Sequence, residues 1–218
     1  MFAIGAHFEE DALYRALLPL RPIANKVFAC LGNHDYEVLE DLKENYKRLG
    51  IRLLVDERVF YETKLGKVEI LGTDFKWRNK GENIRKLVNE NPREGNTIAR
   101  FWLIHNPQGQ FLVNLMVAKY FLNSRLPKDF RLVKDGECDL AFSGHTHGGV
   151  AGFTFVGLQN WTFIRLFSSV FFQHVIPDNG MWSFGSNLLF VSRGTGFYGN
   201  PLRLGVSGEL PTVRVHFD

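Results

Sequence analysis

The sequence predicts an α/β fold, because three short apolar runs each stop at a polar cluster and segments of helical periodicity lie between them. The runs are VFACL at 27–31, FWLI at 101–104 and LAFS at 140–143. Each is compact enough for a strand covered on both faces. The 218 residues carry no repeat, low-complexity tract or linker, so residues 1–218 are expected to form one domain.

In chain order, residues 9–20 open with three acids and continue at helical spacing as far as Pro22, predicting a helix. VFACL predicts a strand that runs straight into GNHD at 32–35. Residues 37–49 place Val38, Leu39, Leu42, Tyr46 and Leu49 on one helical face, with Gly50 suited to a left-handed cap. Strands are predicted at 51–55, 58–63 and 67–73, the last two joined by a turn at Leu65-Gly66. Residues 81–92 carry a helical period ending at Pro92, and FWLI then leads to His105. Residues 108–126 predict a further helix, after which CDLAFS at 138–143 leads into GHTHGG at 144–149. From Ser186 onward, NLLFVSRG, PLRLGVSG and TVRVHF suggest three strands and an antiparallel finish.

Composition narrows the function. The apolar fraction of 45% and charged fraction of 22% are those of an ordinary folded chain. A net charge of +3 lacks the concentrated positive field of a dedicated nucleic-acid binder, and a solvated helix face explains Lys76, Arg78, Lys80, Arg85 and Lys86. No nucleic-acid partner is expected. No apolar stretch reaches 18 residues, so no membrane span is expected; the residues do not determine the compartment, and cytoplasmic and membrane-peripheral placements both stay open. Cys30 and Cys138 lie in apolar runs and read as buried free thiols.

The chemistry lies where the apolar runs end. In open α/β sheets, sites form beyond the carboxyl ends of strands. Strands side by side would gather the Asn33 carboxamide and the imidazoles of His34, His105, His145 and His147 at one rim, a donor set for Zn, Mn, Fe or Ni. A single strand-end histidine is more often structural, but GNHD alone arises by chance in such a chain on the order of one time in a thousand. His7, His174 and His216 lack comparable context and read as structural.

On LGNHDY at 31–36, HNP at 105–107, SGHTHGG at 143–149 and SRGTGFYGNPLRLG at 192–205, the chain resembles the calcineurin-like metallophosphoesterases, within their bacterial-type phosphodiesterase branch. The resemblance implies a four-layer α/β/β/α sandwich of two mixed β-sheets with two divalent transition-metal ions at one rim. It further implies that Asn33, His105 and His145 hold one ion and that His147 belongs to the other. His34 would protonate or stabilise the leaving oxygen, with Asp35 fixing the imidazole. The implied reaction is hydrolysis of a phosphate ester, most of all a diester, by activated water.

The family's Asp-x-His and Gly-Asp motifs are absent here: FAIGAHFEE has Gly5 in place but Ala6 where the bridging aspartate would stand. Three readings follow: a chain lacking its first strand or strands, a non-catalytic remnant or binding scaffold, and a centre rebuilt with His7, Glu9 or Glu10. The first is preferred. A final departure is the aromatic-rich stretch 153–172, including Trp161, Phe163, Phe167, Phe171 and Phe172. Its simplest role is to fill a core; the sharper expectation is an apolar patch beside the metals for an acyl chain, a lipid-linked ester or a membrane surface.

Overall fold

A computed structural model describes residues 11–75, 80–106, 133–149, 151–153, 157–158, 161–163, 165–166, 177–196 and 203–216. The expectations placed on Gly5, Ala6, His7, Glu9 and Glu10, on the helix at 108–126, on His174 and on Phe167, Phe171 and Phe172 lie outside these residues.

Helix α1 (Ala12–Leu17) is shorter than the periodicity suggests, and the chain continues through Leu18–Lys26 in tighter 3₁₀ turns. Pro19 and Pro22 lack the N–H that an α-helical ladder needs at their positions. Strand β1 (Phe28–Cys30) follows, then a 3₁₀ helix over His34–Val38 and the helix α2 (Leu39–Leu49). α2 buries Leu42 and Leu49, as its apolar stripe predicts. It ends in a Schellman motif: Gly50 takes φ 78°, its N–H reaches Lys47 O at 3.2 Å, and Ile51 N–H reaches Tyr46 O at 2.9 Å. Strand β2 (Arg52–Leu54) then pairs parallel with β1.

Strands β3 (Glu57–Thr63) and β4 (Gly66–Gly72) form the expected hairpin, whose turn is tied by Thr63 Oγ1 donating to Gly66 O at 2.7 Å. The helix α3 (Lys80–Ile84) continues as a wider turn over Arg85–Asn89. Strands β5 (Thr97–Leu103), β6 (Leu140–Ser143), β7 (Gly180–Phe184) and β8 (Asn187–Val191) complete a six-stranded sheet in the order β3-β4-β5-β6-β8-β7. Its four central strands are parallel, and β3 and β7 form antiparallel edges.

The C-terminal expectation is corrected in part. NLLFVSRG supplies β8, but its hairpin partner is β7, upstream of Ser186. Within PLRLGVSG, Leu204 makes one isolated bridge to Ala151, and among the described residues 212–216 form no strand. Alternation in TVRVHF is not backed by burial, since Thr212, Arg214, Val215 and His216 are exposed. β7 instead turns Trp182 and Phe184 onto the core.

One face of the large sheet buries Leu71, Trp102, Ala141, Leu189 and Val191 against Ile84, Leu87 and Val88. Its other face buries Val68, Ile70 and Ala99 against Leu54 and Phe28 of the β1–β2 pair. Beyond that pair, Leu13, Leu31 and Leu42 join α1 and α2 to it. The order is therefore helix, sheet, sheet, helix: an α/β/β/α sandwich of a six-stranded mixed sheet and a two-stranded parallel one. Among the described residues, no helix is long and apolar enough to cross a membrane.

Candidate metal centre

Parallel pairing brings the carboxyl ends of β4, β5 and β6 to one rim, and β1 delivers GNHD to it from the second sheet. The ladder runs on past the strands: Ile104 N–H donates to Phe142 O at 3.0 Å and Gly144 N–H to His105 O at 3.1 Å. Ser143 Oγ also donates to His105 O, at 3.0 Å. His105 and His145 are thereby pinned side by side, with ring centroids 4.9 Å apart.

Three donors converge there. His105 Nε2 lies 2.8 Å from Asn33 Oδ1 and 3.1 Å from His145 Nδ1. Ligands about 2.0–2.2 Å from a shared divalent ion stand about 3 Å from one another, so these separations suit one ion. Gly32 makes the approach possible, since a Cβ there would lie 2.8 Å from His105 Cε1. Phe75, just beyond β4, closes one side with its ring 5.5 Å from that of His105 and 6.0 Å from that of His145.

The GHTH segment follows an unusual backbone path. His145 and His147 have φ of 70° and 51°, in the left-handed region that side chains with a Cβ rarely adopt. Thr146 between them donates from Oγ1 to Asp178 O at 2.5 Å, which ties the loop to the chain entering β7. Such strain persists only where surrounding structure enforces it, and it concentrates at functional sites. His147 is buried, and burial pushes its imidazole below the ordinary histidine pKa against a hydrogen bond with the Gly196 backbone. The neutral ring that results is the form that ligates metals.

A model of the calcineurin-like phosphoesterases matches residues 5–149. The chain belongs to the calcineurin-like phosphoesterase family. It is 26% identical over 220 residues to phosphodiesterase YaeI of Escherichia coli (strain K12), covering 99% of this chain and 66% of that protein. It is 28% identical over 196 residues to an uncharacterized metallophosphoesterase of Aquifex aeolicus (strain VF5), covering 89% of this chain and 62% of the relative. The chain thus spans just under two thirds of the length of these curated relatives.

In this phosphoesterase chain, the structure brings His105 into direct contact with both Asn33 and His145, while His147 is buried. Among the described residues no three His, Cys, Asp or Glu side chains group as an ion site. The contacting trio contains two such side chains and a carboxamide.

The expected Asp35 contact is corrected. Asp35 accepts a hydrogen bond from Gly32 N–H at 2.7 Å, and the carboxylate on His34 Nδ1 is Glu37, at 2.6 Å. His34–Val38 is 3₁₀ in geometry, so residues three apart eclipse while neighbours diverge.

Sequence reasoning also missed Asp74 and Tyr36. Asp74 is buried beyond β4 and accepts from Tyr36 Oη and, at 2.7 Å, from Phe75 N–H. Burial, then the Asp74 carboxylate, push the Tyr36 phenol well above its ordinary pKa, so it remains a donor. A signal was available: KVEILGT ends at a polar residue just as the three motif-bearing runs do.

Proposed function

We propose that this chain hydrolyses phosphate esters, with diesters as the preferred class, using two divalent ions drawn from Mn, Fe, Zn or Ni. The observation that carries the reading is the convergence of Asn33 Oδ1, His105 Nε2 and His145 Nδ1 at the strand rim. These three residues would hold one ion, and His147 would contribute to the second. The ions, when bound, supply Lewis-acid neutralisation of phosphoryl charge and make water acidic enough to serve as hydroxide near neutral pH.

The chain's own residues do the rest. His34, on the turn after Asn33, delivers a proton from Nε2 to the leaving ester oxygen while its Nδ1–H stays on a carboxylate. The Asp35 carboxylate holds Gly32 N–H and with it the loop that presents both residues. Exposed Leu158, Trp161 and Phe163, near the GHTHGG loop through the Phe163 N–H to Ala151 O bond at 3.0 Å, suit an apolar group on the ester or a membrane surface.

The test is turnover of bis-aryl phosphodiesters after loading with each metal. Metal-dependent cleavage is expected, with a lower KM for a diester bearing an acyl chain and a loss of about 10²–10⁴-fold in His34→Ala. A non-catalytic scaffold is the second reading, favoured by Ala6 in the position of the family's bridging aspartate. That reading holds if the protein retains ions but cleaves none of these esters under any loading.

A further inference from the structure

We propose that Glu37 is the positioning residue that sets the orientation and tautomer of His34, and that Asp35 instead serves the loop backbone. The inference rests on the hydrolase reading for its kinetic consequence, but its structural half stands independently. His34 Nδ1 lies 2.6 Å from Glu37 Oε1, a short charge-assisted contact. The Asp35 side chain is committed elsewhere, to Gly32 N–H at 2.7 Å, and Asp35 is buried. A carboxylate can only accept, so the His34 nitrogen facing Glu37 carries the hydrogen and Nε2 is the atom that exchanges a proton. As the P–O bond breaks, the Nε2 proton passes to the leaving oxygen and the ring is left neutral with Nδ1–H still on Glu37. Without Glu37, the acceptor that holds the hydrogen on Nδ1 is lost.

Glu37 side-chain exposure of 51% sets the scale of the effect. Solvent competes for the carboxylate, so the contribution lies at the lower end of what such supporting groups achieve, about tenfold.

Two measurements test this on the full chain. Long-range ¹H–¹⁵N spectra at alkaline pH, assigned to His34 by loss of its signal in His34→Ala, should show the Nδ1–H form. In Glu37→Ala that form should give way to a mixture, and Glu37→Gln, whose amide oxygen still accepts, should restore it. Kinetically, Glu37→Ala should lower kcat about tenfold on an alkyl aryl diester with a poor leaving group, KM unchanged, and the deficit should shrink as the leaving group improves. An Nε2–H tautomer in the unsubstituted protein, or one shifted by Asp35→Asn and not by Glu37→Ala, would overturn the proposal. A deficit independent of leaving group would overturn its kinetic half. If the spectra behave as expected and no metal loading gives turnover, the hydrolase reading fails while the positioning role stands.

Discussion

Cys138 is 1% exposed beside Ala141 and Leu189 in the main core, and its N–H donates to Asn187 Oδ1 at 3.1 Å. Burial first, and then the Asp139 carboxylate, push the thiol from about 9 up to about 12, with Arg100 and Arg93 opposing. Across that interval the unfolded chain has released its proton while the folded chain keeps it. Stability therefore falls as pH rises, by about 1.4 kcal/mol per pH unit from this thiol. Cys138→Ala should flatten the alkaline limb of unfolding free energy between these two pKa values, whatever it does to the level near neutrality. Equal slopes for both proteins, measured by urea unfolding, would show that the thiol does not contribute. The buried thiol was legible because Cys138 opens an apolar run, and Asn33, His105 and His145 because they end such runs. Glu37 was not: among the acids at 37, 40, 41 and 44 nothing in the sequence marks it, and only the 3₁₀ geometry of His34–Val38 aligns it with His34.

Strands β4 and β5 carry a charged pair inside the sheet. Glu69 and Arg100 are cross-strand partners with wholly buried side chains, joined Oε2 to Nε at 2.6 Å. Arg58 reaches the other Glu69 oxygen at 3.2 Å, and Arg100 also donates to Glu137 Oε2 at 2.9 Å and Asn91 O at 2.8 Å. Removing Arg100 leaves the buried Glu69 with only the longer Arg58 contact, on one of its two oxygens, whereas removing both members takes the buried charge away as well. Arg100→Met should cost about 3–5 kcal/mol, and adding Glu69→Met should recover part of that loss instead of adding to it. Strictly additive changes in urea unfolding would refute the coupling. Period-2 alternation misleads here. It reads Glu69 and Arg100 as solvent-facing because they alternate with Val68, Ile70, Ala99 and Phe101, but in this sandwich the alternate face is also covered. The prolines are a second local lesson: Pro22 marks the predicted helix end and Pro19 lies within the predicted helix, whereas the structure tightens the chain into 3₁₀ turns from Leu18 onward.

At the scale of the whole molecule, the site is assembled from two sheets, with Asn33 and His34 following β1 and His105 and His145 following β5 and β6. The layer order and the strand-end location of the donors could be expected from pattern and resemblance. The neighbour order of β4, β5, β6 and β8 depends on crossovers that no local period encodes, and the hairpin of β7 with β8 was hidden because β7 alternates over only five residues. An ion held by this rim would tie β1 to β5 and β6, so it should bind the folded chain and not the unfolded one. Binding of that kind stabilises by about 2.7 kcal/mol when free metal stands at 100 times Kd, which for a chain of this size raises Tm by about 5–10 °C. Calorimetry with Mn, Zn or Ni should show that rise in the unsubstituted protein and lose it in both His105→Ala and Asn33→Ala, since each supplies one of the contacting donors. A rise of undiminished size in both variants would place the ion elsewhere and remove the main support for hydrolysis at this rim, whereas its loss in both would tie ion binding to the contact between the two sheets.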